Sequence, residues 1–145
     1  MFLQKYNKKQ LLPNLIKSMK SLKNKALEKD IIKQHHDQIV FDLKRAFLQF
    51  ITLFLIRQGP KYSYEIKAEI LKLSKGGFDI DRNNLYKKLR SLEKDGLLKS
   101  QLEPSIKGAQ RKYYKITPQG KTLLNKSRDT LYPLLSSLRK NIVKR

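Results

Sequence analysis

Apolar residues recur every three or four positions in five parts of the chain, which predicts five helices. Two shorter segments alternate in polarity and predict strands, joined by the turn residues at 104–108. The predicted helices cover residues 14–34, 38–57, 63–73, 81–95 and 117–144, and the predicted strands cover 97–103 and 111–116. Three helices followed by a two-stranded hairpin is the order of a winged helix-turn-helix.

Capping and turn residues set the predicted ends of these helices. The candidate N-caps are Asn14, Ser63, Asp81 and Thr117. The candidate stops are Gly59-Pro60, Gly76-Gly77 and Asp95-Gly96. Pro133 lies inside the last helical pattern and predicts a kink or a split there.

The pattern therefore predicts a mostly α protein with a small β-hairpin. We expect a basic helical extension over residues 1–40, a winged helix-turn-helix over 41–117 and a C-terminal dimerisation helix over 118–145. A leucine-rich stripe in the last segment has too few partners in one small domain, which predicts homodimerisation through Leu131, Leu135, Leu138 and Ile142. Helix 14–34 has neither Trp nor Phe on its apolar stripe. We therefore expect it to cover the dimer interface, here called the dimer seam, rather than to lie on a membrane.

Charge narrows the choice of partner. The 145 residues carry 33 Lys and Arg against 12 Asp and Glu, for a net charge of +21. The excess is +6 in residues 1–40, +6 in 41–100 and +9 in 101–145, so it is not confined to one tail. Such a charge exceeds what solubility requires and predicts a polyanionic partner.

Several protein classes are disfavoured by the same sequence. There is no cysteine, which excludes disulfides and thiolate chemistry. The densest apolar run, Ala46–Ile56, is too short to span a bilayer, and no export signal is apparent, so we expect a cytoplasmic, nucleoid-associated protein without membrane contact. His35-His36 lacks metal partners, and no catalytic constellation is present, so no enzyme activity, metal or cofactor is expected.

The predicted helix 81–95 has the chemistry of a DNA-reading helix. Its buried stripe leaves an outward face of hydrogen-bond donors, and its first turn would meet base edges while its flanks meet phosphates. The outward residues are Arg82, Asn83, Tyr86, Lys87, Arg90 and Lys94. The hairpin adds Lys107, Arg111 and Lys112 as candidate phosphate contacts. Tyr114 falls on the same side of its predicted strand as Ile116 and is expected in the core. Phe47, Phe50 and Phe54 are also expected in the core, although these three could line an aromatic-ligand pocket.

Three motifs over residues 44–125 resemble the PadR-type winged-helix transcription regulators. Gly59-Pro60 is followed by Tyr-Ser-Tyr-Glu-Ile at 62–66, where such regulators read Gly-Tyr-Glu-Ile. Residues 84–97 read Asn-Leu-Tyr-Lys-Lys-Leu-Arg-Ser-Leu-Glu-Lys-Asp-Gly-Leu, similar to the family's Thr-Leu-Tyr-Pro-x-Leu-x-x-Leu-Glu-x-x-Gly-Leu. Residues 111–120 read Arg-Lys-Tyr-Tyr-Lys-Ile-Thr-Pro-Gln-Gly, similar to Arg-x-Tyr-Tyr-x-Ile-Thr-x-x-Gly.

The resemblance implies a homodimer that pairs through the last helix and binds an inverted-repeat operator in double-stranded DNA. By position it puts Tyr64 and Tyr86 on the side that faces DNA. It puts Lys112 on the wing, which is the β-hairpin. The chain departs from the family pattern at Ser63, at Asn83-Asn84 and at Lys87. These changes and the high charge favour tighter and less selective binding.

The function expected from the sequence is sequence-directed DNA binding in transcriptional regulation. Two other functions remain open at this point. One is an architectural or partition role in which many copies coat DNA, and the other is a winged-helix adaptor for an acidic protein. The sequence does not identify an operator, a target gene or a small-molecule effector.

Overall fold

The computed structural model describes residues 8–143 of the chain. A division between Leu43 and Lys44 separates them into two units, 8–43 and 44–143. The elements in chain order are α1 (Lys8–Arg57), β1 (Lys61–Tyr62), α2 (Ser63–Leu73), α3 (Arg82–Lys94), β2 (Leu98–Ser105), β3 (Gly108–Ile116) and α4 (Pro118–Ile142). The mostly helical winged-helix architecture predicted from the sequence is confirmed.

The sheet has three antiparallel strands in the order β1-β3-β2, so the prediction of a two-stranded hairpin is incomplete. The register pairs Leu98 with Ile116 and Lys61 with Tyr114. β1 was missed because two residues are too few to show an alternating pattern. β2 and β3 also run further than predicted, which shortens the turn between them to Ile106 and Lys107.

The structure has one helix, α1, where the sequence predicted two, and this is a correction. Residues 34–38 read Gln-His-His-Asp-Gln, and all five are exposed. The apolar pattern stops there because these side chains meet solvent, while neither Gly nor Pro is present to break the backbone. α1 also begins before Asn14, with Pro13 inside it, so the prediction of Asn14 as an N-cap is wrong.

Two of the remaining predicted caps are confirmed and one is not. The Asp81 carboxylate accepts the backbone N–H of Asn84 at 3.1 Å, and the Thr117 hydroxyl accepts that of Gly120 at 3.1 Å. Ser63 is instead the first helical residue of α2, and Tyr62 holds the N-cap position. The Glu65 carboxylate reaches back to the N–H of Tyr62 at 3.1 Å and closes this helix start.

The core lies in unit 44–143 and joins α1, α2, α3, the sheet and α4. On α3 these residues fall on the face that the leucine spacing predicted, and Tyr114 lies in the core as expected. On α1 the prediction is wrong for Phe54, which is 43% exposed, because Leu55 and Ile56 turn into the core instead. The most deeply buried members are Leu53, Leu55, Ile56, Ile66, Ile70, Leu85, Leu89, Leu92, Leu98, Tyr114 and Leu124. This packing fixes α3 by one face and leaves its other face to solvent.

α4 starts in close contact with the end of α3 and the sheet. Gly120 is buried, and a Cβ added there would lie 2.2 Å from the carbonyl oxygen of Leu97. The Thr117 hydroxyl donates to the carbonyl of Gly96 at 2.7 Å, and Gly96 takes a positive φ of 71°. α4 then continues as one helix with Pro133 inside it, so it is not split. Within residues 8–143, no helix is long and apolar enough to cross a bilayer.

Candidate nucleic-acid interface

The outer face of α3 presents the predicted polar and cationic side chains together. Leu85, Leu89 and Leu92 point into the core. The opposite residues are all exposed, namely Arg82, Asn83, Tyr86, Lys87, Arg90 and Lys94. Asp81 caps the helix and fixes where its first turn begins, so Arg82 and Asn83 lie at the N-terminal end of this face.

Most cations of this face have no carboxylate partner. No ion pair within residues 8–143 involves Arg82, Lys87, Arg90 or Lys94. The guanidinium of Arg90 lies over the ring of Tyr86, with Cζ 5.9 Å from the ring centroid. These cations are therefore not held in ion pairs by carboxylates of the described chain.

An aromatic cluster links the start of α2 to the sheet. The rings of Tyr62 and Tyr64 stack with centroids 6.3 Å apart, and Tyr62 meets Tyr113 edge-on at 5.4 Å. The guanidinium of Arg111 lies over the Tyr62 ring, 4.6 Å from its centroid. Tyr64 and Arg111, both predicted DNA contacts, therefore share Tyr62 as a neighbour. This position of Tyr62 could not be predicted from the sequence, because its contacts with Tyr113 and Arg111 join residues far apart in the chain.

Lys112 is held on the other side of the sheet. Its ammonium nitrogen lies 2.7 Å from a carboxylate oxygen of Glu93 on α3 and 5.3 Å from the centroid of the Tyr114 ring. Glu93 also accepts a hydrogen bond from the hydroxyl of Ser100 on β2. Glu93 therefore joins α3 to both long strands. The role of Glu93 could not be predicted from the sequence, because its partner Lys112 lies 19 residues further along the chain.

This network shifts the pKa values of Glu93 and Lys112 in the directions that keep both side chains charged. The hydrogen bond from Lys112, helped by the one from Ser100, lowers the pKa of Glu93 below its usual value. The same bond to Glu93 raises the pKa of Lys112. Burial is the main cause of the raised pKa of Tyr114, whose hydroxyl is buried without a hydrogen-bond partner among the described residues.

The predicted cations of the hairpin do not form one surface. Neighbouring side chains of a strand point to opposite faces, so Arg111 and Lys112 diverge. Arg111 lies with Tyr62, whereas Lys112 faces α3. Lys107 is exposed in the turn at the tip, beside the fully exposed Ile106. DNA contact by each of these residues stays a prediction, and the geometry separates Lys112 from the other two.

The predicted dimerisation stripe is accessible on α4. Leu135, Leu138 and Ile142 are exposed by 43%, 45% and 69%, while Leu131 is half-buried. Apolar side chains this exposed at helical spacing form a face that nothing in the described chain covers. Their role in dimerisation stays a prediction.

Phe50 and Phe54 border a cavity, although the sequence analysis expected them to be ordinary core. The cavity has a volume of about 380 Å³ and is almost entirely apolar. Two arginines, Arg57 and Arg128, belong to its lining, and Arg57 donates to the side-chain oxygen of Asn125 at 3.2 Å. The two phenylalanines therefore face open space on one side.

Comparison with known proteins identifies related sequences over the winged-helix region. The model of the family described as "Transcriptional regulator PadR-like family" matches residues 52–126. A protein of Lysinibacillus sphaericus named "Uncharacterized protein X" is 36% identical over 84 residues, which cover 58% of this chain and 77% of that protein. The matched region contains α2, α3 and the whole sheet.

Solved structures with the same fold include transcriptional regulators from several bacteria. A PadR family transcriptional regulator from Eggerthella lenta is 27% identical with a TM-score of 0.62, covering 78% of this chain and 96% of its own. A transcriptional regulator from Clostridium thermocellum is 28% identical with a TM-score of 0.60, covering 68% and 93%. A PadR-like regulator from Bacillus cereus is 25% identical with a TM-score of 0.60, covering 72% and 98%.

Proposed function

Because the chain belongs to the PadR-like family of transcriptional regulators, we propose that it binds duplex DNA in a sequence-directed way as a homodimer. The observation that carries this proposal is the outer face of α3. That face combines hydrogen-bond donors with cations that have no acidic partner in the described chain. A helix of this diameter fits the major groove, where base edges are accessible.

The two ends of the α3 face have different roles in this proposal. Arg82 and Asn83 occupy the first turn, the part of a groove-inserted helix that meets base edges. Arginine can bind guanine and asparagine can bind adenine, each through two hydrogen bonds. Lys87, Arg90 and Lys94 follow along the helix and contact the phosphate backbone, with Tyr86 beside Arg90.

The wing supplies phosphate contacts through Arg111 and Lys107. Stacking on Tyr62 limits the motion of the Arg111 side chain before binding, which lowers the entropy lost when it meets a phosphate. Tyr64 lies on the same aromatic cluster and contacts the backbone nearby. Lys112 has a different role here, because its ammonium group is already paired with the Glu93 carboxylate. This ion pair holds the wing against α3.

Homodimerisation uses the exposed face of α4. Leu131, Leu135, Leu138 and Ile142 pack against the same residues of a second chain, which removes an apolar stripe from water. Two recognition helices related by a two-fold axis then require an operator with inverted half-sites.

Selection of bound sequences from a random pool of duplex DNA tests the proposal. The full chain is expected to enrich an inverted repeat, and a variant with Arg82→Ala and Asn83→Ala is expected to enrich it far less. Enrichment of no sequence, with tight binding to every duplex, would favour the DNA-coating role instead. Absence of duplex binding together with capture of an acidic protein would favour the adaptor role.

A further inference from the structure

The N-terminal part of α1 carries an exposed apolar stripe in unit 8–43. Each residue from 9 to 39 is exposed, including six apolar residues in the first turns. At 3.6 residues per turn, these six fall within an arc of roughly 100°. They are Leu11, Leu12, Leu15, Met19, Leu22 and Ala26. A contiguous apolar stripe of this length on a soluble chain marks an interaction surface.

Lysines border the stripe, and no acidic residue accompanies them. Helical geometry puts Lys23 at one edge of the stripe and Lys25 near the other, with Lys20 further round the helix and Lys17 on the opposite face. The first Asp or Glu of the whole sequence is Glu28, beyond the stripe. Residues 1–27 contain seven lysines, so the partner of this helix must tolerate or attract positive charge.

Charge disfavours the dimer seam as the partner. Two copies of the stripe would bring lysine edges together with no carboxylate to pair with them. α4 offers a single carboxylate, that of Asp129, to pair with the seven lysines of residues 1–27. Duplex DNA would satisfy the lysines but offers nothing apolar for the leucines.

An anionic bilayer surface satisfies both features of this helix. A helix lying in the interface buries its apolar side at the level of the upper acyl chains and keeps lysines among the headgroup phosphates. Lysines at the edges can extend their stems along the apolar surface while the ammonium groups reach outward. Ser21 and Asn24 occupy the opposite side of the helix, as expected for the side in contact with water.

We propose that residues 9–27 form an amphipathic helix that binds the surface of membranes rich in anionic phospholipid. This function goes beyond DNA binding and needs no membrane-spanning segment. It replaces the expectation that helix 14–34 covers the dimer seam, because α4 carries only one carboxylate that could pair with the lysines of residues 1–27. The missing aromatic residues are offset by the leucine stripe and its lysine edges.

Flotation of the full chain with lipid vesicles tests the proposal. Vesicles of phosphatidylcholine with added phosphatidylglycerol are expected to carry the protein, and vesicles of phosphatidylcholine alone are not. The informative variant combines Leu15→Ser and Leu22→Ser, which removes two of the five large apolar side chains of the stripe while keeping every lysine. We expect it to lose vesicle binding by about tenfold or more.

A matched control separates the stripe from other causes. The variant with Ile31→Ser and Ile32→Ser removes two exposed aliphatic side chains from the same helix outside residues 9–27, and it should bind vesicles like the wild type. Circular dichroism confirms that both variants remain folded. DNA binding by both should be unchanged, which distinguishes this proposal from the proposed function.

Two outcomes would overturn the proposal. Unchanged vesicle binding by the Leu15 and Leu22 variant would mean that a protein of +21 adsorbs through charge alone. Dissociation of a dimer by that variant, without loss of vesicle binding, would assign the stripe to a second copy of the chain.

Discussion

The ammonium nitrogen of Lys112 lies 2.7 Å from a carboxylate oxygen of Glu93, and this pair joins the third strand to the third helix. Both side chains are about one third exposed. The pair therefore fixes the wing relative to the proposed recognition helix while remaining open to solvent. Its energetic contribution should be modest, and its pH dependence follows from the direction of the pKa shifts.

Replacement of Glu93 by glutamine should lower stability most at neutral pH. The hydrogen bond from Lys112 lowers the pKa of Glu93 below its usual value of 4.5, so the pair's contribution is present above that pH. It is lost as the pH falls through the lowered folded-state pKa. We expect a loss of about 1 kcal/mol or less at pH 7, given solvent screening. Thermal unfolding of the wild type and of Glu93→Gln at pH 7 and at low pH measures this difference in stability.

Glu103→Gln on β2 is the control for that experiment, because Glu103 forms no ion pair with the described residues. A stability difference between wild type and Glu93→Gln that is the same at both pH values would contradict the assigned role of the pair.

Replacement of Gly120 by alanine should destabilise the junction of α4 with the sheet. The added Cβ would lie 2.2 Å from the carbonyl oxygen of Leu97, a backbone atom that cannot rotate away. Overpacking of this kind costs about 1–3 kcal/mol. Chemical unfolding should show the loss, whereas Gln119→Ala at the exposed neighbouring position should have little effect. Equal stability of the two variants would contradict the packing.

The local signals of the winged helix could be predicted, and its long-range contacts could not. Asp81 and Thr117 cap helices as their residue types and positions predicted, because a cap needs only the next three residues. The pairing of Lys112 with Glu93 and the strand at Lys61–Tyr62 depend on partners far along the chain. Nothing in the local pattern indicates such partners.

The same distinction applies to the candidate interface. The leucine spacing of α3 predicted its buried face, and therefore its exposed face, without knowledge of the rest of the chain. The separate positions of Arg111 and Lys112 follow from the alternation along β3, but their partners Tyr62 and Glu93 lie elsewhere in the chain and could not be predicted. The continuous helix α1 was missed because an exposed polar stretch and a helix break look alike in the hydrophobic pattern.

Leu135→Glu should give monomers. Leu135 lies at the centre of the α4 stripe, and a carboxylate there would be buried opposite its own copy in the dimer. Light scattering at micromolar concentration should report a dimer for the wild type and a monomer for this variant. Leu134→Glu, at an exposed position beside the stripe, should remain dimeric. A monomeric wild type would end the proposal of a homodimer.

Binding to duplex DNA should weaken steeply with salt. The slope of log affinity against log salt is about −0.9 per phosphate neutralised, and a dimer that uses α3 and the wing of each chain should neutralise about 6–10 phosphates. A slope shallower than about −3 would be inconsistent with the wing and helix both contacting the backbone. Arg111→Gln should flatten the slope by about 1 for each chain.

The most direct test of the account compares Asn83→Ala with Arg111→Ala on the selected operator and on random duplex DNA. Asn83 is assigned to base readout, which is worth about 1–3 kcal/mol of discrimination for each good contact. Because the dimer loses this contact in both half-sites, the ratio of specific to random affinity should fall by about thirtyfold or more. Loss of Arg111, assigned to phosphate, should weaken both affinities equally and leave the ratio unchanged. If both variants left the ratio unchanged, α3 would not read the sequence, and the central claim would be wrong.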